Sequence, residues 1–375
     1  MPAKDPQKVL NHFYNRLKEM EETNASDLYL TVGCAPNIRI NDEISLAKGE
    51  VFDEEMMWIV LNKILSPKQM QQFQSELELN FPIILPNGAR FRANLFQQQE
   101  QPGLVIRRIN VQIPTLEALD LPNIYADMVM RKQGLIILAS PSGSGKSTSL
   151  AAMLDHRNRN GKGHILTIED PIEFLHNNVN CIFTQREVGV DTHSFENALT
   201  NALRQKADVI VVGEIRTKEA MIQALRFAEA GHLCLSTLHA NSAAQAIKRM
   251  VSFFPDDMKD HAHLSLSQNL LAIFSQKLLS SEKKGRVMAI EVLKNTGLIR
   301  NHISEGKFCE INSIMERVSD PSIRTMDTAL FDLYKTGDIS KEVALHEAEN
   351  PSNLRLKMSQ KLGSIQPKTD THNQF

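Results

Sequence analysis

The sequence predicts an α/β protein in two parts: a mixed α+β part, followed by a parallel sheet with helices on both faces. The chain has 375 residues, and domains commonly run to roughly 100–200 residues. The first part combines helical spacing with alternating strands. From Gly134 onward, short runs that are apolar on both faces alternate with helical segments, which is typical of a parallel sheet.

The N-terminal part carries signals for helices and strands in turn. Residues 7–22 have apolar side chains at helical spacing, and residues 28–32 alternate with the period of a half-buried strand. The same alternation returns at Ile38 and Ile40, and a second helix is predicted over 54–65.

A β-hairpin is predicted between Phe81–Leu85 and Ala89–Phe96, because an Asn-Gly turn separates the two runs. On its second strand apolar side chains take one face and polar side chains, including Arg92, take the other. A further strand over Gly103–Ile109 carries Arg107. Arginines on a sheet face are usually only solvated, and a role in ligand binding is the alternative.

The second part begins after a predicted linker, residues 113–125, which contains two prolines. Residues 260–280 have apolar side chains at helical spacing, and further helix is predicted to about residue 349. The chain then becomes polar, which predicts a disordered tail. Buried strands are predicted at Leu135–Ala139, Ile165–Ile168, Val209–Val212 and Leu233–Ser236. The predicted domains are 1–112 and 126–350, with the linker 113–125 between them and the tail 351–375 after them.

The composition excludes several classes of protein. The net charge is −2, with 42% apolar and 23% charged residues, which argues against a protein that coats nucleic acid. No apolar run approaches the roughly 20 residues that span a bilayer, and the charged start lacks a signal-peptide core. The cysteines are widely separated, which predicts reduced thiols and no zinc site. We therefore expect a cytoplasmic protein with no transmembrane segment and no nucleic-acid partner.

The strongest motif is the Gly/Ser-rich segment 140–148, which follows a buried strand and opens a helix, as a P-loop does. Its glycines let the backbone curl close to a phosphate, and Lys146 supplies a positive charge. Ser147 can ligate Mg²⁺. Ser140 stands where the pattern GxxxxGK[ST] has glycine, and a flexible linker is the structural alternative. The predicted ATP-binding residues are Ser142, Gly143, Ser144, Gly145, Lys146, Ser147 and Thr148.

Acidic residues and histidines follow the other predicted strands. Glu173 comes soon after one strand, where a carboxylate can polarise a water toward the γ-phosphate. Glu214 ends the next strand in a Walker B arrangement, and Asp208, before that strand, is the weaker candidate. His239 ends the following strand and His232 begins it. Acidic residues can also cap helices, and histidines at strand ends are more often structural hydrogen bonders.

These segments together resemble a known family. TIEDPIEF, VGEIR and GHLCLSTLHANSA follow the P-loop in the order found in the ATPases of type II secretion and type IV pili. The opening ASDLYLTVG resembles the N-terminal domain of the pilus retraction branch, PilT and PilU. The resemblance extends to about residue 350. It implies a PAS-like N-terminal α+β domain and a C-terminal RecA-like P-loop NTPase domain with extra C-terminal helices.

The resemblance assigns roles to residues of the second part. Lys146 matches the phosphate-binding lysine, Glu173 the acid that activates water, and Glu214 the Walker B acid. ATP and Mg²⁺ are the implied cofactors, with Ser147 as one magnesium ligand and Glu214 as another, acting through water. With His239, the two acids form the implied catalytic set.

Histidines and arginines are assigned in the same way. His232 and His239 match the two histidines of the family's His box. The family's N-terminal domain supplies arginines to the nucleotide, and Arg92 and Arg107 fall in the matching strands.

The implied function is a homo-hexameric, ATP-hydrolysing motor that powers type IV pilus retraction and twitching motility. The ending ALHEAENPSNLRLKMS favours the PilU type. A PilT-like paralogue and an inner-membrane platform protein are the implied partners, at the inner face of the cytoplasmic membrane. Two alternatives stay open: a coupling subunit with little ATPase activity of its own that acts with a PilT paralogue, and a type II secretion or VirB11-like ATPase.

Overall fold

The structure is a computed structural model that describes residues 4–40, 43–47, 49–109 and 112–362, with side chains to residue 360. The chain divides into two compact units. The first comprises Met1–Gln112 and Glu173–Leu175, and the second comprises Ile113–Ile172 and His176–Phe375. Each unit has a hydrophobic core of its own.

The first unit is an antiparallel sheet with helices packed on one of its faces. Its strands are ordered β3-β2-β1-β6-β5-β4, and neighbours in this order are antiparallel. The strands are β1 Asp27–Thr31, β2 Asn37–Ile40, β3 Glu43–Leu46, β4 Glu78–Ile84, β5 Arg90–Gln98 and β6 Gln101–Ile109. The helices are α1 Pro6–Glu22, α2 Glu54–Ile64 and α3 Pro67–Glu76.

The core of the first unit forms where the apolar side chains of the helices meet one face of the sheet. On β5, Phe91, Ala93 and Leu95 are fully buried, whereas Arg92 is only half-buried on the opposite face. The predicted hairpin is confirmed, because β4 pairs with β5 and Gly88 in the turn has a φ of 87°.

The second unit is a mainly parallel sheet with helices on both faces. Its strands are ordered β13-β12-β7-β11-β10-β8-β9; β12 and β13 are antiparallel, and the other neighbours are parallel. The strands are β7 Gly134–Ala139, β8 Gly163–Glu169, β9 Cys181–Glu187, β10 Val209–Glu214, β11 Leu233–Leu238, β12 Leu270–Ser281 and β13 Gly285–Lys294. The helices are α4 Ile124–Val129, α5 Lys146–Asn160, α6 Phe195–Ala202, α7 Lys218–Glu229, α8 Ala243–Ser252, α9 Lys259–Asn269, α10 Gly297–Ser304, α11 Ile311–Arg317, α12 Met326–Thr336, α13 Lys341–Glu347 and α14 Pro351–Leu362. Within the described ranges, none of the helices has the length and apolarity needed to cross a membrane.

Residues of β7 alternate between two cores, one on each face of this sheet. Leu135 and Ile137 belong to one core, and Ile136 and Leu138 belong to the other. A strand that is buried on both faces needs helices on both sides, so the predicted α/β class is confirmed. β11 lies between β7 and β10, and the carboxyl ends of these parallel strands therefore meet at one edge.

The predicted helix over 260–280 is wrong beyond residue 269. α9 ends at Asn269, and the next residues form β12, which pairs with β7 in parallel. β12 then turns back into β13 within a region predicted as helix. The run from Leu270 to Leu279 is apolar enough to suit a buried strand or a buried helix. Its hydrogen-bonded pairing with β7, on the side opposite β11, decides that it is a strand.

The predicted disordered tail is wrong in its first part. Pro351–Leu362 form α14, on which Leu354 and Met358 are buried in a cluster with the β12–β13 hairpin, α12 and α13. These two apolar residues, one turn apart, make a stripe too narrow to stand out in a polar segment. The rest of the predicted tail, residues 363–375, lies outside the described residues.

The predicted linker 113–125 is part of the second unit. Leu116 and Leu121 are buried in the same core as Tyr125, the largest fully buried side chain among the described residues. Its prolines predict the break in regular structure, but they carry no signal for this burial.

Leu354→Ala is expected to destabilise the C-terminal helices. Leu354 is fully buried, and truncating a buried leucine to alanine typically costs about 2–5 kcal/mol. Leu356 on the same helix is 57% exposed, so Leu356→Ala is expected to change stability by less than about 0.5 kcal/mol. Urea unfolding followed by circular dichroism measures both variants, and equal midpoints would contradict the packing of α14.

Candidate active site

The loop between β7 and α5 curls at two glycines. Gly143 and Gly145 have φ values of 78° and 83°, in the left-handed region that residues with a Cβ rarely adopt. Gly145 is the N-cap of α5, which begins at Lys146. Because the first N–H groups of a helix have no partner within the helix, the start of α5 offers donors and the positive end of its dipole to an anion.

Lys146 reaches back over this loop. Its Nζ donates to the carbonyl oxygens of Ser140, at 2.6 Å, and Pro141, at 2.8 Å. The side chain is thereby held at the mouth of the loop, where phosphate oxygens are acceptors of the same kind. Of the other predicted ATP-binding residues, Ser144 is buried, Gly145, Ser147 and Thr148 are half-buried, and Ser142 and Gly143 are exposed.

Ser140 fits its position without a glycine's freedom. It is not among the residues with positive φ, and its buried hydroxyl accepts from the backbone N–H of Gln276 on β12 at 2.8 Å while donating to the carbonyl of Ala139. The Gln276 side-chain amide donates to the Tyr125 hydroxyl and to the Ser149 hydroxyl, each at 2.8 Å. The serine therefore ties the start of the loop to the neighbouring strand.

Glu214 ends β10 at a bulge. The register between β10 and β11 shifts between Val212 and Glu214, and the Thr237 hydroxyl donates to the carbonyl of Gly213 at 2.7 Å. A Cβ on Gly213 would lie 2.9 Å from the carbonyl oxygen of Ile168, so the close approach of β8 requires glycine there. A bulge re-aims the side chain that follows it, and here that side chain is the predicted Walker B carboxylate.

Glu214 contacts two side chains at this edge. Its Oε1 lies 3.1 Å from Nε2 of His239, and its Oε2 lies 2.8 Å from Nη2 of Arg216. The carboxylate is 20% exposed and the imidazole 37%. Because a carboxylate accepts several hydrogen bonds, Glu214 can orient both partners and keep lone pairs for water or a cation.

His232 lies at the other end of β11 from His239. Its Nδ1 lies 2.7 Å from the carbonyl oxygen of Ala207, and six residues of strand, about 20 Å, separate the two histidines. Asp208 also lies at that amino edge, where Oδ2 accepts from the N–H of His164 at 2.8 Å. The structure therefore brings His239, but not His232 or Asp208, to the edge that carries Glu214.

The remaining predicted site residues belong to the first unit. Glu173 is exposed, within Glu173–Leu175. Arg92 and Arg107 are direct cross-strand neighbours on β5 and β6. Arg107 Nε lies 2.8 Å from Oδ1 of the buried Asp27. The two arginines thus share one face of the first sheet, and a buried carboxylate orients one of them.

Sequence reasoning assigned no role to Arg216, Gln276 or Glu291. Arg216 is the last residue of the quoted VGEIR motif, so its place beside Glu214 was visible in principle. Gln276 and Glu291 are single polar residues inside apolar runs, which is a signal of burial only if those runs are strands. The helical prediction for this region removed that signal.

Glu291 on β13 is fully buried, and burial raises the pKa of its carboxyl to about 8. Glu349 and Asp327 raise it further by repulsion, whereas a hydrogen bond from the N–H of Ala243 and the charge of Lys277 lower it. The protonated form of the carboxyl is therefore favoured at pH 7.

Comparison with known proteins gives a family and close relatives. The family model for type II/IV secretion system proteins matches residues 4–366. The type IV pilus ATPase PilU of Pseudomonas aeruginosa is 45% identical over 354 residues, which cover 94% of this chain and 92% of that protein. The type IV pilus retraction ATPase PilT of the same organism is 39% identical, over 88% of this chain and 96% of that protein.

Solved structures show the same fold. The crystal structure of the pilus retraction motor PilT with bound ADP has a TM-score of 0.86 to this chain at 38% identity, and covers 91% of this chain and 98% of its own. The ATPase DotB of Legionella pneumophila has a TM-score of 0.75 at 23% identity, over 96% of this chain and 97% of its own. The predicted two-part fold class is confirmed.

Ser140→Ala is expected to lower stability by about 1–3 kcal/mol, because it leaves the buried N–H of Gln276 without its acceptor. Ser142 lies in the same loop but is exposed, so Ser142→Ala is the matched control, with an expected change below about 0.5 kcal/mol. Urea unfolding compares the two variants. Similar midpoints would show that the Ser140 hydroxyl does not hold the loop to β12.

Glu291→Gln is expected to gain stability over the wild type as the pH rises from about 4.5 to about 8. Because the pKa of Glu291 is raised from 4.5 to about 8 in the fold, the folded wild type keeps a proton that the unfolded chain releases. Rising pH across this window therefore lowers the wild type's free energy of unfolding, and glutamine has no such proton to lose. Melting temperatures of both proteins across this range measure the difference, and a constant difference would contradict the burial of a titrating carboxyl.

Proposed function

Because the chain belongs to the type II/IV secretion system protein family, in its PilT/PilU group, and is an ATPase, we propose that it is a hexameric, PilU-type motor that powers type IV pilus retraction. The observation that carries the proposal is the pairing of Glu214, at the end of β10, with His239, at the end of β11. β11 lies directly beside β7, the strand that ends in the Lys146 loop. The alignment with PilU, which is 45% identical and covers 94% of the chain, supports the PilU type.

ATP binds through the loop 142–148 in this proposal. The N–H groups at the start of α5 and the ammonium of Lys146 bind the β- and γ-phosphates. The Ser147 hydroxyl and the Glu214 carboxylate are hard oxygen donors of the kind that Mg²⁺ prefers, with Glu214 acting through water. When bound, Mg²⁺ offsets the charge of the phosphates.

Hydrolysis then needs a positioned water. Glu173 accepts a proton from the water while the oxygen of that water bonds to the γ-phosphorus. The bond from the γ-phosphorus to the β–γ bridging oxygen then breaks. ADP and inorganic phosphate are the products. Glu214 holds His239 in one orientation, and His239 senses the γ-phosphate from the end of β11. Arg92 and Arg107 add positive charge to the nucleotide, and Asp27 orients the second of them.

Mechanical work by the motor requires that ATP has different affinities for two states of the protein. ATP must bind one arrangement of the motor more tightly than another, because a ligand with equal affinity for both moves nothing. Loss of the γ-phosphate removes that preference and resets the arrangement. In the proposed machine, six copies of the chain act in turn at the cytoplasmic face of the membrane. They act on an inner-membrane platform protein, beside a PilT-like paralogue.

A second candidate is a coupling subunit that depends on a more active paralogue. Ser140 in place of the glycine of the P-loop pattern favours it. The hydrogen bond between Ser140 and β12 argues that the serine is compatible with a formed loop. A type II secretion or VirB11-like ATPase has less support, since the 45% identical alignment with PilU covers 94% of the chain.

Lys146→Ala is expected to reduce ATP turnover by the purified chain at least about 100-fold, because it removes the positive charge on the transferred phosphate. Lys162 is exposed just beyond the other end of α5, and Lys162→Ala is the matched control, with turnover unchanged. Phosphate release measures both variants.

The same two variants test the motor in cells that lack the native copy. Loss of retraction with Lys146→Ala, but not with Lys162→Ala, supports a motor that uses its own ATP. Full retraction with Lys146→Ala in the presence of a PilT paralogue would contradict the motor assignment and favour the coupling subunit. Unchanged turnover in vitro would remove the proposed nucleotide site itself.

A further inference from the structure

Four residues form one row across the second sheet. Glu291 on β13 pairs with Ser275 on β12, Ser275 pairs with Ala139 on β7, and Ala139 pairs with Leu238 on β11. Ala139 is the last residue before the P-loop, and Leu238 is the last residue before His239. Glu291 therefore lies in register with the ends of β7 and β11, where both functional loops start, while β12 and β13 continue past this row.

Two residues of this row bind the segment that follows His239. Oε2 of Glu291 accepts from the N–H of Ala243 at 2.8 Å, and the hydroxyl of Ser275 donates to the carbonyl of Asn241 at 3.3 Å. Ala243 is the first residue of α8, and it is fully buried. The backbone after His239 is thus attached to the β12–β13 hairpin at both ends of a three-residue stretch.

We propose that Glu291 is a positioning residue for ATP hydrolysis, which holds the start of α8 and thereby keeps His239 against Glu214. The inference rests on the role proposed above for the Glu214–His239 pair. Among the described residues, Glu291 makes no hydrogen bond to Glu214 or to His239. Its effect passes through the backbone between Ala243 and His239.

The cost of burying Glu291 argues against a role in packing alone. Oε1 has no hydrogen-bond partner within the described residues, and a buried polar atom without a partner is destabilising. An apolar side chain would fill this position more cheaply. What the carboxyl adds is one acceptor for a helix N–H that has no partner within α8.

The segment that leads into α14 lies near the same helix start. Burial raises the pKa of the Glu349 carboxyl, and the nearby hydroxyl of Ser242, the N-cap of α8, acts against that rise. The N–H groups of Glu349 and Asn350 donate to Asp327 at 2.8 and 3.0 Å. Glu349 and Asp327 also act on the carboxyl of Glu291 by charge, so this segment lies near the buried acid as well.

Steady-state hydrolysis by the purified full chain tests the proposal. Glu291→Leu removes the acceptor and is expected to lower kcat at least about tenfold while KM for ATP stays within about twofold, since misplacing a catalytic group affects the chemical step more than binding. Glu291→Gln keeps a neutral acceptor and is expected to stay within about twofold of the wild type at pH 7. Equal kcat for the leucine variant and the wild type would overturn the proposal.

A second variant breaks the same hydrogen bond from the donor side. Ala243→Pro removes the N–H at the first position of α8, where proline is tolerated, and Ser242 before it is already extended, with a φ of −151° and a ψ of 166°. It is expected to reproduce the loss in kcat without altering the buried acid. It keeps the test valid if the leucine variant does not fold, and normal kcat in this variant would refute the role of the contact.

Amide exchange separates this inference from the proposed function. In Glu291→Leu, hydrogen–deuterium exchange of peptides covering 239–246 is expected to rise at least about tenfold, while exchange in β7 and β10 stays at the wild-type level. This measurement needs no turnover, so it decides the positioning role even if the purified wild type hydrolyses no ATP. Unchanged exchange over 239–246 would overturn the inference and leave the motor proposal intact.

Discussion

The order β7-β11-β10 at the centre of the second sheet is the constraint on which the candidate site depends. Parallel neighbours lie about 4.8 Å apart and end at the same edge, so the residues that follow these strands must lie side by side. The bulge at Gly213 adjusts this arrangement locally and aims Glu214 along the edge. The 3.1 Å contact between Glu214 and His239 is therefore set by strand register, with the loops adding little freedom.

The β12–β13 hairpin extends that constraint to the two loops. Gln276 on β12 binds the hydroxyl of Ser140 at the start of the P-loop, and Glu291 on β13 binds the N–H of Ala243 after the His239 loop. Both contacts are buried, where a hydrogen bond is strong and an unmade one is costly. A hairpin at the edge of the sheet thus links the candidate phosphate-binding loop and the histidine loop to one support.

Contacts within the protein orient the charged side chains of the candidate site. Lys146 is held by two carbonyl oxygens, and Glu214 lies between His239 and Arg216. Groups oriented before the reaction need no reorganisation when charge develops on the phosphate, which is the main source of electrostatic catalysis. The edge of the sheet supplies this orientation.

Local patterns in the sequence determined the Gly/Ser-rich loop before α5, the hairpin, and the buried strands β7, β8, β10 and β11 with the acids and histidines near their ends. They could do so because period and turn chemistry depend on neighbours in the chain. Tertiary structure alone decided that 270–281 is a strand, that α14 packs and that Ser140 suits its loop. Those outcomes depend on partners distant in sequence: Ser140 and Gln276 are 136 residues apart, and Ala243 and Glu291 are 48 apart. Burial and pairing at such separations leave no periodic signal, since they arise only when the sheet brings the partners together.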